Sequence, residues 1–252
     1  MGNKKPVIEL KEVELGYRGK PVVRRLNCVI ERGDSLGIVG PNGSGKTTLL
    51  KAILGLIPPL SGEIHTDMSL RFAYVPQTEM LSLRLPLTVR DVVYLALKSR
   101  RSLGWITADE RQAAERAMER VGIAPIRNQT LRDCSGGQRQ RAILAQALSQ
   151  KPDVLLLDEP TKGLDVASEH AFLSLMEELK AEENLTILFV THVLQIPLNY
   201  MKKILVLSQG VGVLSTPDEL ISTRKLDEIY GVTFVRAGAS GVRWATPLRG
   251  KS

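Results

Sequence analysis

The chain has 252 residues, of which 43% are hydrophobic and 24% are charged. This is the composition of a globular protein with enough chain for a large core, in one domain with a subdomain or in two small domains. The net charge of +7 suits nucleic acid or an anionic membrane surface, but the basic residues are scattered and only 4% of residues are aromatic, too few to predict platforms for stacked bases.

Cysteine content and hydropathy indicate the compartment. The two cysteines, Cys28 and Cys134, are too few for a disulfide framework, so a reducing cytosol is expected. The polar N-terminus leads into a strand and not into the apolar core of a signal peptide. No apolar run approaches the roughly 20 residues of a membrane span. If the protein works at a membrane, we expect another chain to cross it.

The first third of the chain has the pattern of short strands. Its opening segment partly alternates between apolar and polar residues, which predicts an antiparallel sheet, and its third segment is continuously apolar, which predicts a buried strand. A helix is expected at residues 48–54, ending near a Pro-Pro-Leu-Ser-Gly stretch. The predicted strands are residues 7–15, 22–30, 35–39, 63–65 and 70–75.

A glycine-rich segment joins the third strand to the first predicted helix. It reads Gly40-Pro41-Asn42-Gly43-Ser44-Gly45-Lys46-Thr47 and fits the pattern G-x-x-x-x-G-K-[ST]. Glycines let backbone N–H groups form a concave nest, and the helix N-terminus adds partial positive charge. We therefore expect this loop to bind nucleotide phosphates, with Lys46 at the β- and γ-phosphates and the Thr47 hydroxyl on Mg²⁺.

The pattern changes to helical between about residues 86 and 150. The segment Thr88–Lys98 is apolar at helical spacing, and a capping box at Thr107-Ala108-Asp109-Glu110 predicts a helix to about Val121. The segment Ser135-Gly136-Gly137-Gln138 predicts the start of a third helix. These residues therefore indicate a helical insertion within an α/β fold.

After Pro152 the chain returns to buried strands alternating with helices, the pattern of a parallel sheet. Pro217 is well placed at the first turn of a final helix pair, and from about Val232 the chain reads as a mixed tail. The predicted elements are strands at 153–158 and 185–190, a helix at 166–180, and a closing hairpin at 204–207 and 211–214.

An acidic pair closes the strand at residues 153–158. Asp158 can hold Mg²⁺, directly or through water, and Glu159 can polarise an attacking water. An acidic pair at this position can instead cap the next helix.

With this pair and the glycine-rich loop, the chain resembles the nucleotide-binding subunit of an ABC transporter over nearly all of residues 7–230. The resemblance implies an α/β fold, a P-loop NTPase of ABC type. Its mostly parallel core sheet is flanked by helices and carries an N-terminal antiparallel β subdomain and an inserted α-helical subdomain. The implied boundaries are 1–85 and 151–231 for the two parts of the ATP-binding core, 86–150 for the helical signature subdomain, and 232–252 for a C-terminal tail.

The resemblance also assigns roles around ATP and Mg²⁺, the two implied cofactors. Tyr17 would stack on adenine, and Gln77 would touch Mg²⁺ and the attacking water. Glu159 and His192 would orient that water, with His192 also on the γ-phosphate. The implied Mg²⁺ residues are Thr47, Gln77 and Asp158, and the implied catalytic residues are Glu159, His192 and Gln77. The implied ATP-binding residues are Tyr17, Gly40, Pro41, Asn42, Gly43, Ser44, Gly45, Lys46, Thr47, Thr48, Ser135, Gly136, Gly137, Gln138 and Asp165.

The most family-specific mark is Cys134-Ser135-Gly136-Gly137-Gln138, which resembles the signature sequence Leu-Ser-Gly-Gly-Gln. It implies that the Ser135 hydroxyl and the Gly137 N–H meet the γ-phosphate of ATP bound to an opposite subunit. Asp165, after Leu164, resembles the D-loop residue that crosses the dimer interface. Two copies are therefore expected to sandwich two ATP molecules.

Four residues at three places depart from the family pattern. Cys134 replaces the usual leucine, as a packed small residue or as a redox-sensitive thiol. Val193 stands where aspartate is frequent and could loosen the hydrogen bonding beside His192. Lys162-Gly163 stands where many members have Ser-Ala and should be tolerated.

The resemblance implies an ATP-hydrolysing subunit that powers translocation by a membrane permease. Three stretches, Tyr74–Gln77, Thr88–Val93 and Ile229–Val232, further resemble importers of metal ions or metal chelates. The expected partners are a polytopic permease, a second copy of the chain and an extracytoplasmic solute-binding protein, with no nucleic acid. The protein would lie peripherally on the cytoplasmic face of the cell membrane.

Three alternatives remain open from the sequence. The chain could serve a different transporter, for lipid or drug export, or act as a non-transport ABC ATPase in cofactor assembly. A nucleotide-binding scaffold without hydrolysis is the third, and the presence of Gln77, Glu159 and His192 argues against it.

Overall fold

The computed structural model describes residues 6–67, 69–77, 85–98, 106–183, 185–239 and 242–247. The chain divides into two compact units, one formed by Met1–Met68 with Thr186–Ser252 and the other by Ser69–Leu185. The elements in chain order are β1 (Pro6–Tyr17), β2 (Lys20–Glu31), β3 (Ser35–Val39), α1 (Lys46–Ile53), β4 (Ser61–Thr66), β5 (Phe72–Val75), α2 (Val89–Lys98), α3 (Ala108–Arg120), α4 (Gly136–Leu148), β6 (Val154–Asp158), α5 (Val166–Glu183), β7 (Thr186–Thr191), α6 (Gln195–Tyr200), β8 (Lys203–Ser208), β9 (Val211–Ser215), α7 (Pro217–Ser222), α8 (Lys225–Tyr230), β10 (Phe234–Ala239) and β11 (Val242–Pro247).

The first unit contains the expected antiparallel sheet. Its strand order is β2-β1-β4, with both neighbours antiparallel to β1. Ile8 and Leu10 are buried on alternate positions of β1, as are Val13 and Leu15, because successive side chains of a strand point to opposite faces. This alternation is the pattern from which the sheet was predicted.

The first unit also contains parallel strands whose side chains are buried throughout. Strand β3 lies between β7 and β8, parallel to both, and β9 pairs antiparallel with β8 as the closing hairpin. All five residues of β3 and all six of β7 are buried, as expected of strands covered on both faces. Val39, the last residue of β3, has Thr191 as its partner in β7.

The predicted tail carries a β-hairpin, an element that the sequence pattern did not indicate. Strands β10 and β11 pair antiparallel. The Arg243 side chain forms an ion pair of 2.8 Å with Asp218, and Arg236 pairs with Asp227. The Phe234 and Tyr230 rings lie 5.4 Å apart. These contacts tie the hairpin to α7 and α8. Residues 240–241 and 248–252 of the tail lie outside the described ranges.

The second unit combines a parallel strand pair, β5 and β6, with helices. The predicted capping box at α3 is confirmed: the Thr107 hydroxyl accepts from Glu110 N–H, and the Glu110 carboxylate accepts from Thr107 N–H. Side chains from three helices, including Val93, Met118 and Leu144, are fully buried. The α/β fold class with mostly parallel core strands is therefore confirmed. Over the described ranges, no helix is long and apolar enough to cross a bilayer.

Candidate functional site

The glycine-rich loop runs from the end of β3 into the first turn of α1. Gly45 is the N-cap of α1 in the left-handed conformation, with φ of 99°. A Cβ on Gly45 would lie 2.5 Å from Val23 Cγ2, and a Cβ on Gly40 would lie 2.0 Å from the Leu207 carbonyl oxygen. Both positions therefore require glycine. Gly45 requires it for its positive φ and for its close contact with Val23, and Gly40 requires it for its close contact with the Leu207 carbonyl.

The buried polar groups of this loop fit a phosphate ligand. The Lys46 ammonium donates to the carbonyl oxygens of Gly40 (2.8 Å) and Pro41 (3.0 Å). The Ser44 hydroxyl is buried and has no hydrogen-bond partner among the residues that the structure describes. A buried hydroxyl without a partner is costly, and a phosphate oxygen in the loop would supply one.

The rest of the loop completes an anion-binding helix start. Pro41, Asn42 and Gly43 are exposed and form its outer part, while Thr47 is half-buried and Thr48 is buried. The first turn of α1 carries no carboxylate, so the positive end of the helix dipole is left for a ligand.

Strand register brings the predicted histidine to the same edge as this loop. Because Val39 and Thr191 are partners in parallel strands, Gly40 and His192 both begin at the carboxyl edge of that strand pair. His192 is exposed, and the Thr191 hydroxyl accepts from Val193 N–H at 3.0 Å. The turn therefore has a local hydrogen bond although Val193 replaces aspartate. Tyr17 lies at the end of β1 and is 51% exposed.

In the second unit, register brings Gln77 and the acidic pair to one edge. Val75 of β5 pairs with Leu157 of β6, and Gln77 and Asp158 follow these partners. Asp158 is buried, and its Oδ2 accepts a hydrogen bond of 3.1 Å from the Tyr74 hydroxyl. Burial and the neighbouring Asp158 raise the pKa of Tyr74 above its ordinary value, so the phenol remains a donor.

Glu159 has an uncommon backbone conformation. It is 8% exposed, and its φ is 50°, in the left-handed region that costs a side-chain-bearing residue about 1–2 kcal/mol. Strained residues cluster at functional sites, and Glu159 directly follows the buried Asp158, which supports the expectation that Glu159 has a chemical role.

The signature segment forms the start of α4, as predicted. Ser135 is the N-cap, its hydroxyl accepts from Gln138 N–H (3.2 Å), and the Gln138 side chain accepts from Ser135 N–H (2.8 Å). Ser135 and Gly136 are exposed, and the first turn of α4 has no acidic residue. This helix end is open to an anion.

Asp165 and the signature segment are connected through Ser168. Asp165 accepts from Ser168 N–H (2.8 Å) and from the Ser168 hydroxyl (2.9 Å), and these hydrogen bonds lower the pKa of Asp165. The position of a Cβ on Gly137 lies 3.0 Å from the Ser168 hydroxyl oxygen. A cavity of about 260 Å³ is lined by Ser135, Gly137, Ser168 and Arg141, among others.

Cys134 is packed inside the second unit. It is 3% exposed, and its thiol donates to the Thr130 carbonyl at 3.4 Å. Burial raises the pKa of Cys134, which disfavours the reactive thiolate. The structure thus favours the packed small residue over the redox-sensitive thiol.

The structure therefore assembles three parts of the predicted site. The first unit joins the phosphate loop with His192, and the second unit joins Gln77 with the acidic pair and the signature segment with Asp165. Tyr74 and Ser168 were not predicted as site residues. A strand tyrosine and a helical serine carry no signal until strand register and helix packing reveal their partners.

The chain is similar to known proteins in sequence and in fold. A family model described as ABC transporter matches residues 23–162, more than half of the chain. The chain belongs to the ABC transporter family. It is therefore an ATPase that binds ATP, as the resemblance implied.

Two curated relatives match along most of this ABC ATPase. The zinc import ATP-binding protein ZnuC of Marinobacter nauticus is 34% identical over 90% of this chain and 84% of its own. The manganese transport system ATP-binding protein MntB of Bacillus subtilis is 35% identical over 91% of this chain and 95% of its own. A solved ABC transporter described as metal-chelate type, in an inward-facing conformation, superposes with a TM-score of 0.87 at 24% identity, covering 97% and 98% of the chains; this likeness confirms the fold.

Proposed function

We propose that this ABC ATPase is the motor subunit of an importer for a transition-metal ion or a metal chelate. The observation that carries the proposal is the similarity to zinc and manganese import subunits over 90% of the chain, well beyond the nucleotide motifs. On this proposal the chain lies on the cytoplasmic face of the membrane. It is bound there to a polytopic permease that receives the metal from an extracytoplasmic solute-binding protein.

The phosphate loop would hold the nucleotide. Lys46 carries the charge that neutralises the β- and γ-phosphates, and its ammonium would exchange the Gly40 and Pro41 carbonyls for phosphate oxygens. The Ser44 hydroxyl supports this role, because it has no hydrogen-bond partner within the described part of the chain and can therefore donate to a phosphate oxygen. Tyr17, exposed at the end of β1, would stack on the adenine ring.

Mg²⁺ would be held by Thr47, Asp158 and Gln77. This donor set of a hydroxyl, a carboxylate and an amide supplies only oxygen from the side chains, the ligand type that Mg²⁺ prefers. When bound, the ion would neutralise charge that develops on the phosphates. The hydrogen bond from Tyr74 supports the assignment of Asp158, because outer hydrogen bonds orient metal-ligating carboxylates.

Glu159, Gln77 and His192 would act on the attacking water. Glu159 would accept its proton while Gln77 orients it, and His192 would donate to the γ-phosphate. Phosphoryl transfer depends on positioning and charge neutralisation more than on covalent chemistry. The strained backbone of Glu159 supports a position set by function.

A second copy of the chain would complete each ATP site. Ser135, Gly136, Gly137 and Gln138 would contribute the open N-terminus of α4 to the γ-phosphate on the partner, and Asp165 would cross the interface. The exposure of Ser135 supports this arrangement. The permease would meet the segment that begins after Gln77; residues 78–84 of that segment lie outside the described ranges.

Metal content of cells tests the cargo. In a strain that lacks this chain and grows in chelator-treated medium, mass spectrometry should show a fall in cellular zinc, manganese or iron. Wild-type chain should restore the metal, and a Glu159→Gln chain expressed at the same level should not. If all three metals are unchanged while the purified protein hydrolyses ATP, the ATPase serves another cargo and the importer proposal is wrong.

A further inference from the structure

A cleft of about 400 Å³ opens in the second unit and shares no residue with the candidate ATP site. Its volume lies within the range of about 300–1,000 Å³ typical of small-molecule sites. Its lining contains four cationic side chains and one carboxylate, so the positive charges exceed the negative by three.

One wall of the cleft is a single face of α3. Ala113, Arg116, Ala117 and Arg120 recur at the spacing of residues that lie on one side of a helix. The two alanines are buried, and their short side chains leave room for the cleft. The Arg116 side chain is exposed. Arg116 donates to the neutral Gln112 side chain at 3.0 Å, so this hydrogen bond leaves its charge uncompensated.

Most of the remaining lining comes from the segments that precede the two parallel strands β5 and β6. Arg71, before β5, donates its backbone N–H to Asp153 Oδ2 at 2.9 Å, and its guanidinium lies 3.5 Å from the same oxygen. This pair fixes Arg71 against the strand start. Lys151 is exposed beside Asp153, and Leu148 and Pro152 are buried in the lining.

Helix dipoles account for part of this charge but not all of it. Arg120 and Lys151 lie at the C-terminal ends of α3 and α4, where cations are stabilised in any protein. Arg71 precedes a strand, however, and Arg116 lies a full turn before the end of α3. Lys151 also adopts φ of 50°, a conformation that glycine or asparagine adopts at lower cost at a helix end.

We propose that this cleft binds a small organic phosphate that carries at least two negative charges. The guanidinium groups of Arg71 and Arg116 carry paired N–H donors that match phosphate oxygens. Arg120 and Lys151 add positive charge to the lining. The buried Leu148 and Pro152 provide an apolar surface for the organic part. The phosphate could belong to a soluble metabolite or to a lipid headgroup, which have the same recognition chemistry.

Calorimetric titration of the full chain tests the proposal. No nucleotide is added, because ADP is itself an organic phosphate that would compete for the cleft, and the phosphate loop is the same in every variant. Fructose 1,6-bisphosphate serves as the soluble probe. Sedimentation with phosphatidylglycerol vesicles, against phosphatidylcholine vesicles, serves as the lipid probe. The cleft variant is Arg116→Gln with Lys151→Gln. The control variant, Arg111→Gln with Lys202→Gln, removes the same charge from two exposed residues outside the cleft. Circular dichroism verifies that both variants are folded.

The wild type and the control variant should bind one or both probes, and the cleft variant should bind at least about tenfold more weakly, since two charge-assisted contacts are lost. Binding of the bisphosphate alone would identify a soluble ligand, and binding of the anionic vesicles alone a lipid headgroup. Equal binding by the cleft and control variants would overturn the proposal. A wild-type protein that binds neither probe would also overturn it.

Discussion

The hydroxyl of Tyr74 donates a hydrogen bond of 3.1 Å to Oδ2 of Asp158. The two residues lie on neighbouring parallel strands, where Tyr74 pairs with Leu156, two residues before Asp158. The hydrogen bond fixes one carboxylate oxygen of the proposed Mg²⁺ ligand and so connects strand register directly to the chemistry of the site.

Replacing Tyr74 with phenylalanine should weaken the response to Mg²⁺. The loss of one hydrogen bond frees the Asp158 carboxylate to rotate, so the Mg²⁺ concentration for half-maximal ATPase activity should rise about fivefold, with about 1 kcal/mol lost from the free energy of unfolding. Tyr94→Phe is the matched control, because Tyr94 makes a similar bond of 3.0 Å to Glu115. Equal Mg²⁺ dependence in the two variants would contradict the role of Tyr74.

Ser44→Ala should separate stability from nucleotide binding. Because the Ser44 hydroxyl is buried without a partner in the described structure, its removal should leave the free energy of unfolding of the nucleotide-free protein within about 0.5 kcal/mol of wild type. Affinity for ATP should fall about tenfold, since a hydrogen bond to a charged phosphate is lost.

Ser149→Ala is the control for this prediction. Ser149 is also buried, but its hydroxyl donates to the Gln146 carbonyl at 2.7 Å. Its replacement should cost about 1 kcal/mol of unfolding free energy and leave ATP affinity unchanged. Chemical denaturation and ATP titration of the two variants measure both quantities. A large stability loss in Ser44→Ala, with unchanged ATP affinity, would show that Ser44 is structural.

Gly137→Ala should destabilise the protein by contact with Ser168. The new Cβ would lie 3.0 Å from the Ser168 hydroxyl oxygen and 3.1 Å from its Cβ, and such overpacking costs about 1–3 kcal/mol. The cost should fall in a Ser168→Gly background, and a double-mutant cycle on the free energy of unfolding isolates this coupling. Gly136→Ala is the control, since its new Cβ meets Leu164 at 3.6 Å, an ordinary contact. A coupling energy near zero would mean that Ser168 does not constrain the signature segment.

Both cysteines should react slowly in the native protein. Burial raises the pKa of Cys28 to about 11, and it also raises the pKa of Cys134. At pH 8 the reactive thiolate is therefore scarce, and labelling should accelerate as the pH rises toward the pKa. A colorimetric thiol reagent should label two cysteines rapidly in denaturant and neither rapidly in native buffer. Fast labelling of one native thiol at pH 8 would restore a redox role for that residue.

Local signals in the sequence predicted the parts of the fold that local interactions determine. The capping boxes at Thr107 and Ser135 could be predicted because each depends on residues three positions apart. Gly45 could be predicted because its neighbours complete a loop motif. The hairpin of β10 and β11 was not predicted. Its position depends on distant partners such as Asp218 and Asp227, and its strands contain small residues that give a weak apolar pattern.

The same distinction applies to the site. Lys46 and Asp158 could be predicted because the residues adjacent to each in the sequence indicate its chemical role. The hydrogen bond from Tyr74 could not be predicted, because it requires the register of two strands about 80 residues apart in the chain. The basic cleft could not be predicted from the sequence either, because Arg71, Arg116 and Lys151 come from three separate segments.

The central claim is that two copies of this chain form a clamp driven by ATP. The variant Glu159→Gln gives the most direct test of this claim. The variant should bind ATP with wild-type affinity, because the change keeps the shape of the side chain, and it should lose nearly all ATP turnover, because the amide cannot accept a proton from water. Light scattering with ATP and Mg²⁺ should then show a stable dimer that wild type forms only transiently. A monomer under these conditions, or undiminished hydrolysis by the variant, would contradict the account.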